Sequence, residues 1–340
     1  MKNTGKKEAA FIIKSMSEFV DSYAPKHLTN SVSTLKSYKM TLRKYLAFLE
    51  DVKGVKETTI CKACFERCVI EEWMRYMRDQ EGLTPDTCNV RLGGFRTFLK
   101  YLGSRDVEYK YLYLEAIEIP LMKTVKKKVN GLTREAVKAI MAEPDQTTVT
   151  GRRDLAFLAL AYSTGARIGE ILSIKVKDIH LNTEKPNITV LGKGGKIRTL
   201  YIPSKAKSHL NRYIQEAHGD HPNSEDYLFY SRNGKTKNQI SAKAFENRLR
   251  FYAIRGHEKC EDVPLKLHAH QLRHARATHW LEDGINIVQI SFLLGHEQLA
   301  TTMKYLDITE DDMRRHLEEL EDEKDDTKPK WKQSLKDIIK

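Results

Sequence analysis

Apolar residues recur at helical spacing through most of this 340-residue chain, and one short pair of β-rich runs is the exception. Those runs, 188–191 and 197–202, flank Gly192-Lys193-Gly194-Gly195-Lys196, which reads as a hairpin with a glycine-rich, basic tip. The fold class this dictates is mainly α with a small β-hairpin or sheet, an α+β chain.

The helices fall into two groups. In the first, residues 9–23 place Phe11, Ile12, Met16, Phe19, Val20 and Tyr23 on one face. Residues 32–50 repeat the pattern behind Ser31 as a cap, and a third helix lies near 67–80. A fourth starts at Thr84-Pro85-Asp86, a cap followed by proline at the first helical position, and runs through Leu102. Four amphipathic helices with short connections make a small bundle, residues 1–114. Residues 115–131 read as a basic linker, with Pro120, Lys126, Lys127 and the turn signal Asn130-Gly131. A second domain, 132–315, begins with Thr133 capping 134–142 and a buried helix at 152–163. Further helices follow the hairpin near 204–217, 241–254, 270–283, 286–294 and 299–306. The tail, 316–340, is acidic and then basic, and Trp331, Leu335, Ile338 and Ile339 form one apolar helix face that could dock on a neighbouring subunit.

The formal net charge of +12 calls for a polyanionic partner, nucleic acid before membrane. Lys36, Lys39, Arg43 and Lys44 on the second helix, and Arg91, Arg96 and Lys100 on the fourth, are candidates to track phosphates; a solvated face is the plainer reading. No run approaches the ~20 apolar residues that span a bilayer, and the N-terminus lacks a signal-peptide pattern, so the expected location is the cytoplasm. The five cysteines are odd in number and read as reduced thiols. Cys61, Cys64 and Cys68 are spaced to share one side of a helix as small apolar groups, and no nearby His or second Cys pair completes a zinc site. No metal or cofactor is expected.

Four local segments carry chemistry, and each alone has an ordinary explanation. In Thr164-Gly165-Ala166-Arg167-Ile168-Gly169-Glu170 an arginine opens a helix against the dipole, with Glu170 one turn on; a structural ion pair explains it as well as an anion site does. The hairpin tip lets a lysine approach a backbone closely, or is a plain turn. In His270-Gln271-Leu272-Arg273-His274, His270 and Arg273 share a helix face, an arrangement that suits a phosphate or two satisfied surface groups. Leu294-Gly295-His296-Glu297 is followed nine residues after His296 by Tyr305, on its own an ordinary packing tyrosine.

Taken in order, the four segments resemble the motif series of the tyrosine recombinase (phage integrase) family: its first arginine box, hairpin lysine, His-x-x-Arg box and closing Leu-Gly-His with a tyrosine nine residues on. The likeness covers residues 130–310, and 10–105 resemble more loosely the family's helical core-binding domain. The resemblance implies six catalytic positions, Arg167, Lys193, His270, Arg273, His296 and Tyr305, supported by Glu170 and His274, with Arg198 as a further phosphate contact. It implies site-specific cleavage and rejoining of double-stranded DNA through a 3′-phosphotyrosine link, without metal, by a clamp of two domains and a tetramer on two DNA sites. The helical domain begins almost at once, which suits an Xer-like protein or small mobile-element integrase serving integration, excision or dimer resolution. The alternatives are a type IB topoisomerase-like relaxation enzyme and a catalytically silent DNA-binding protein.

Overall fold

The structure is a computed structural model that describes residues 2–124, 131–192, 195–231, 237–296 and 298–303. The chain divides into two compact units, Met1–Lys128 and Val129–Lys340.

In the first unit α1 (Lys2–Glu18) runs into a π-helical stretch, Phe19–Leu28, whose wider winding accommodates Pro25 and its missing N–H. Then come α2 (Val32–Asp51), α3 (Arg67–Asp79), α4 (Pro85–Arg105) and α5 (Lys110–Ile117). The capping residues act as expected: the hydroxyls of Ser31 and Thr84 accept from the amides of Thr34 and Thr87. The core is aromatic. Tyr45 meets Trp73 edge-on at 4.9 Å and Phe95 at 4.1 Å, and satisfies its hydroxyl on the Cys64 carbonyl at 2.6 Å.

One expectation for this unit needs correction. The three close cysteines do not share a helix, because Cys61 precedes a 3-10 turn (Lys62–Phe65), Glu66 is extended, and only Cys68 lies on α3. All five thiols are free, and among the described residues no three His, Cys, Asp or Glu are grouped to hold a metal. The ordered helical unit also continues past residue 114. α5 extends to Ile117, and Ile119 is buried in the core. Arg96 causes this, since its guanidinium donates to the carbonyls of Ala116 at 2.8 Å and Ile117 at 3.3 Å, and also to that of Ile119.

The second unit begins with α6 (Arg134–Met141), capped by Thr133. α7 (Val149–Thr164) is its central helix, with Leu155 to Ala161 buried all round and α9 (Ser204–His218) and α11 (Ala269–Glu282) packed against it. Asp154, fully buried, binds α7 to α10 (Ala242–His257) through Arg248 at 2.7 Å and the Tyr252 hydroxyl at 2.7 Å. After α8 (Ile168–Leu172) comes a three-stranded antiparallel sheet of β1 (Ile179–His180), β2 (Asn187–Leu191) and β3 (Ile197–Tyr201), in that order. The hairpin was expected; the two-residue β1 is too short to show a period. Ile188 faces Leu200 and Val190 faces Arg198. These four residues share the inner face, and Leu191, Ile197 and Tyr201 are exposed on the other. The remaining helices are α9 (Ser204–His218), α10 (Ala242–His257), α11 (Ala269–Glu282), α12 (Ile287–Leu294) and α13 (Leu299–Met303). Lys126, Lys127, Lys193, Tyr305 and the 316–340 tail lie outside the described residues. Among the described residues no helix is long and apolar enough to cross a membrane.

Candidate active site

Three chain reversals converge in the second unit. Gly165 ends α7 in the left-handed region at φ +59°, and Gly295 ends α12 at φ +65°. The positive φ is what calls for glycine at 165, and a Cβ there would also press on Leu294 Cδ2, 2.9 Å away. The third is the start of α11, which carries His270 in its first turn and Arg273 one turn later.

Arg273 occupies the point where the two helix ends meet. Its side chain is 1 % exposed. One terminal nitrogen donates to the Gly165 carbonyl at 2.6 Å, the other to the Leu294 carbonyl at 2.8 Å and to Nε2 of His296 at 2.8 Å. Helix C-termini offer orphan carbonyls and the negative end of the dipole, which is what makes a buried guanidinium tolerable there. An arginine only donates, so Nε2 of His296 accepts, and the ring proton sits on Nδ1, 2.7 Å from the Thr302 hydroxyl. Burial and the charges of Arg273, Arg167, Arg198 and His270 pull the His296 pKa down to about 4.

Arg167 caps α8. Its amide donates to Glu170 Oε2 at 2.8 Å, and its guanidinium to Oε1 at 3.0 Å. Arg198, from β3, also donates to Oε2 at 2.7 Å. Burial alone would raise the Glu170 pKa, but the Arg167 amide and the two guanidiniums outweigh it and hold the carboxyl below its usual value. Glu170 Oε1 also lies 3.5 Å from where a Gly192 Cβ would stand, so this carboxylate sits beneath the base of the hairpin tip.

His270 stays accessible to solvent. Crowding of its ring by protein, with the charges of Arg273, His274 and Arg167, sets its pKa below the ordinary histidine value. His274 is buried and meets the Thr278 hydroxyl at 3.4 Å. Arg167, His270, Arg273 and His296 therefore lie within one another's electrostatic reach, around an accessible imidazole and a partly exposed guanidinium. Such a constellation is built for an anion, and the accessible, neutral His270 is placed to take a proton.

The basic residues read as DNA contacts divide. Lys36, Lys39, Arg43 and Lys100 are exposed. Lys44 and Arg91 share Glu81, at 2.8 and 3.3 Å, Arg96 serves α5, and Arg198 turns inward to Glu170. Two features escaped the sequence reading. Thr302, fully buried, is one, and nothing in its own surroundings marks it. The inward turn of Arg198 is the other, and strand alternation signals it, because Arg198 lies two residues before Leu200 on the core face.

Known proteins bear on this arrangement. The description of the phage integrase family matches residues 130–312. The chain is 30 % identical to tyrosine recombinase XerC of Chlamydia caviae over 314 residues, 88 % of this chain and 95 % of that one. It is 28 % identical to tyrosine recombinase XerD of Listeria monocytogenes over 282 residues, 82 % of this chain and 89 % of that one. Among solved structures, the XerH site-specific recombinase in its post-cleavage complex shares the fold at a TM-score of 0.68 and 17 % identity, covering 94 % of this chain and 98 % of that one. More than half of the sequence lies within the matched family region, and that region contains the whole constellation described above: this chain belongs to the phage integrase family and is a tyrosine-type site-specific DNA recombinase.

Proposed function

We propose that the chain cleaves and rejoins double-stranded DNA at a specific site through a covalent 3′-phosphotyrosine intermediate, with Tyr305 as nucleophile. The observation that carries the reading is the buried Arg273, fixed by two helix ends beside His296 and within the field of Arg167 and His270. The Tyr305 oxygen attacks the scissile phosphorus, the bond to the 5′-oxygen breaks, and one phosphate ester replaces another, so no external energy source is consumed. His270 takes the tyrosine proton and Lys193 gives one to the leaving 5′-oxygen. Arg167 and Arg273 hold the non-bridging oxygens, whose geometry their forks match.

His296 joins them by a change of tautomer. An arriving phosphate gives Arg273 a charged acceptor in place of the imidazole. The Thr302 hydroxyl can donate as well as accept. The ring proton can then move to Nε2 and point at the phosphate while Nδ1 accepts from Thr302.

The supporting units are the basic surface of α2 and α4 for the duplex and the 316–340 tail for a neighbouring subunit. XerH is bound to a palindromic difH substrate and a lambda integrase fragment forms a dimer on a core site. We extend this to a homotetramer on two sites, in the cytoplasm, with the first unit (residues 1–114 at its heart) binding DNA and 132–315 performing catalysis.

The test is to trap covalent adducts on fragmented host DNA, sequence the attached site, and place two direct copies on a supercoiled plasmid. Two smaller circles are expected, and a plasmid without sites should stay supercoiled. Relaxation of the siteless plasmid indicates a topoisomerase instead, and binding without adduct indicates a silent DNA-binding protein. The recovered site also separates integration or excision at an element boundary from dimer resolution.

A further inference from the structure

Arg198 stands in the second unit with a basic side chain turned inward, away from the exposed face of its strand. Strand alternation puts it opposite Val190, on the face that carries Ile188 and Leu200 into the core. Its side chain is only 17 % exposed. One terminal nitrogen reaches Glu170 Oε2 at 2.7 Å, and the other donates to the Leu293 carbonyl at 2.5 Å. Its buried Nε finds no acceptor among the described residues. The shaft lies flat on the turn after α12: a Cβ at Gly295 would stand 3.1 Å from Arg198 Cδ and 3.2 Å from its Nε. One residue of β3 thus bridges the carboxylate that holds Arg167 and the turn that presents His296.

We propose that Arg198 is a positioning residue for DNA cleavage, keeping Glu170 from gripping Arg167 with both oxygens and fixing the turn before His296, and is not itself a ligand of DNA phosphate. The inference rests on the reading of Arg167 as a phosphate-binding group. Carboxylate and guanidinium prefer a two-pronged match, with two parallel N–H···O bonds. In this structure Glu170 gives Arg167's guanidinium one oxygen only, because the second is shared between the Arg167 amide and Arg198. Remove Arg198, and Oε2 is released toward the Arg167 fork. That fork would then be neutralised and turned away from the substrate, while the Gly295 turn loses the group packed against it.

The experiment compares Arg198→Met and Arg198→Lys with Arg167→Ala and the unaltered protein. DNA affinity is measured across a salt series, and adduct formation in a single turnover at saturating protein. The cleavage substrate is made twice, with an ordinary scissile phosphate and with a neutral methylphosphonate there, which needs guanidinium charge less. Thermal melting selects folded variants, and Arg198→Gln replaces the Met variant if the latter does not fold.

We expect Arg198→Met to slow cleavage about 10²-fold, the scale of a site displaced by an ångström, with affinity and salt slope unchanged. Arg198→Lys, which keeps a cation for Glu170, should recover part of the rate. The methylphosphonate should shrink the penalty of Arg198→Met and of Arg167→Ala alike. A salt slope shallower by about one with an intact saturated rate would make Arg198 a phosphate ligand and overturn the proposal. So would an Arg198→Met penalty that persists on the methylphosphonate while that of Arg167→Ala is relieved. If Arg167→Ala itself is not relieved, the reading of Arg167 fails, and the inference falls with it.

Discussion

Arg273 donates to Nε2 of His296 over 2.8 Å, and that single bond decides where the imidazole proton sits. It places the proton on Nδ1, against the hydroxyl of Thr302, a residue with no charge and no place in the motif series. Its hydroxyl can accept from Nδ1–H in one tautomer and donate to a bare Nδ1 in the other, so Thr302 partners His296 in both. Thr302→Val should therefore slow single-turnover cleavage about 10-fold, the worth of one hydrogen bond, whereas Thr302→Ser should cleave at the native rate. Nitrogen-15 spectra of the imidazole should show the Nδ1–H form in the native protein and in the valine variant alike, because Arg273 still donates to Nε2 in both.

Arg273 has a structural part beside the catalytic one proposed for it. Arg273→Ala strips the carbonyls of Gly165 and Leu294 of a shared donor in a buried place. Denaturant unfolding should show a loss of about 3 kcal/mol, the scale for two buried carbonyls left bare, and cleavage should fall about 10²–10³-fold. Arg167→Ala, which removes a partly exposed side chain, should match the loss of cleavage with little loss of stability.

The depressed histidines set two pH dependences. His296 has a folded pKa of about 4 against an ordinary 6.5, so the unfolded chain takes up this proton first. The stability it contributes is whole above pH 6.5 and is lost as pH falls through 4. Unfolding free energies from pH 7.5 to 4.5 should decline in the native protein and decline less steeply in His296→Gln. His270, lowered by its surroundings and by Arg273, His274 and Arg167, must be neutral to act as a base. The acid limb of the cleavage rate should accordingly fall below pH 6.5, and His270→Gln should remove that limb.

Salt dependence should sort the basic residues of the first unit. Lys36, Lys39, Arg43 and Lys100 are exposed, and substituting one that meets a phosphate by alanine should lower the slope of log affinity against log salt by about one. Arg96→Ala should leave that slope alone and lower the melting temperature, because its guanidinium holds the end of α5.

The helices, their caps and the hairpin were legible because each rests on local rules. Ser31, Thr84 and Thr133 cap where they should, and β2 and β3 flank the glycine-rich tip. What sequence missed depends on contacts far along the chain. α5 is fastened by Arg96, more than a dozen residues upstream, and the cysteine segment is broken by an extended Glu66 that spacing alone cannot reveal. In the site, motif order brought Arg167, His270, Arg273 and His296 into view. Thr302 needed the fold, since only the turn after α12 brings it to the imidazole. Arg198 is the intermediate case: its charge suggested DNA, and its place in the strand alternation pointed inward.

The most direct measurement is to identify the amino acid joined to DNA. The protein is incubated with a site-bearing duplex nicked so that the cleaved product cannot religate, digested with protease, and the DNA-linked peptide sequenced by mass spectrometry. A nucleotide on Tyr305, attached through a 3′-phosphate and absent from Tyr305→Phe protein that still binds the duplex, is the predicted result. An adduct on another residue, or one that survives in Tyr305→Phe, would contradict it.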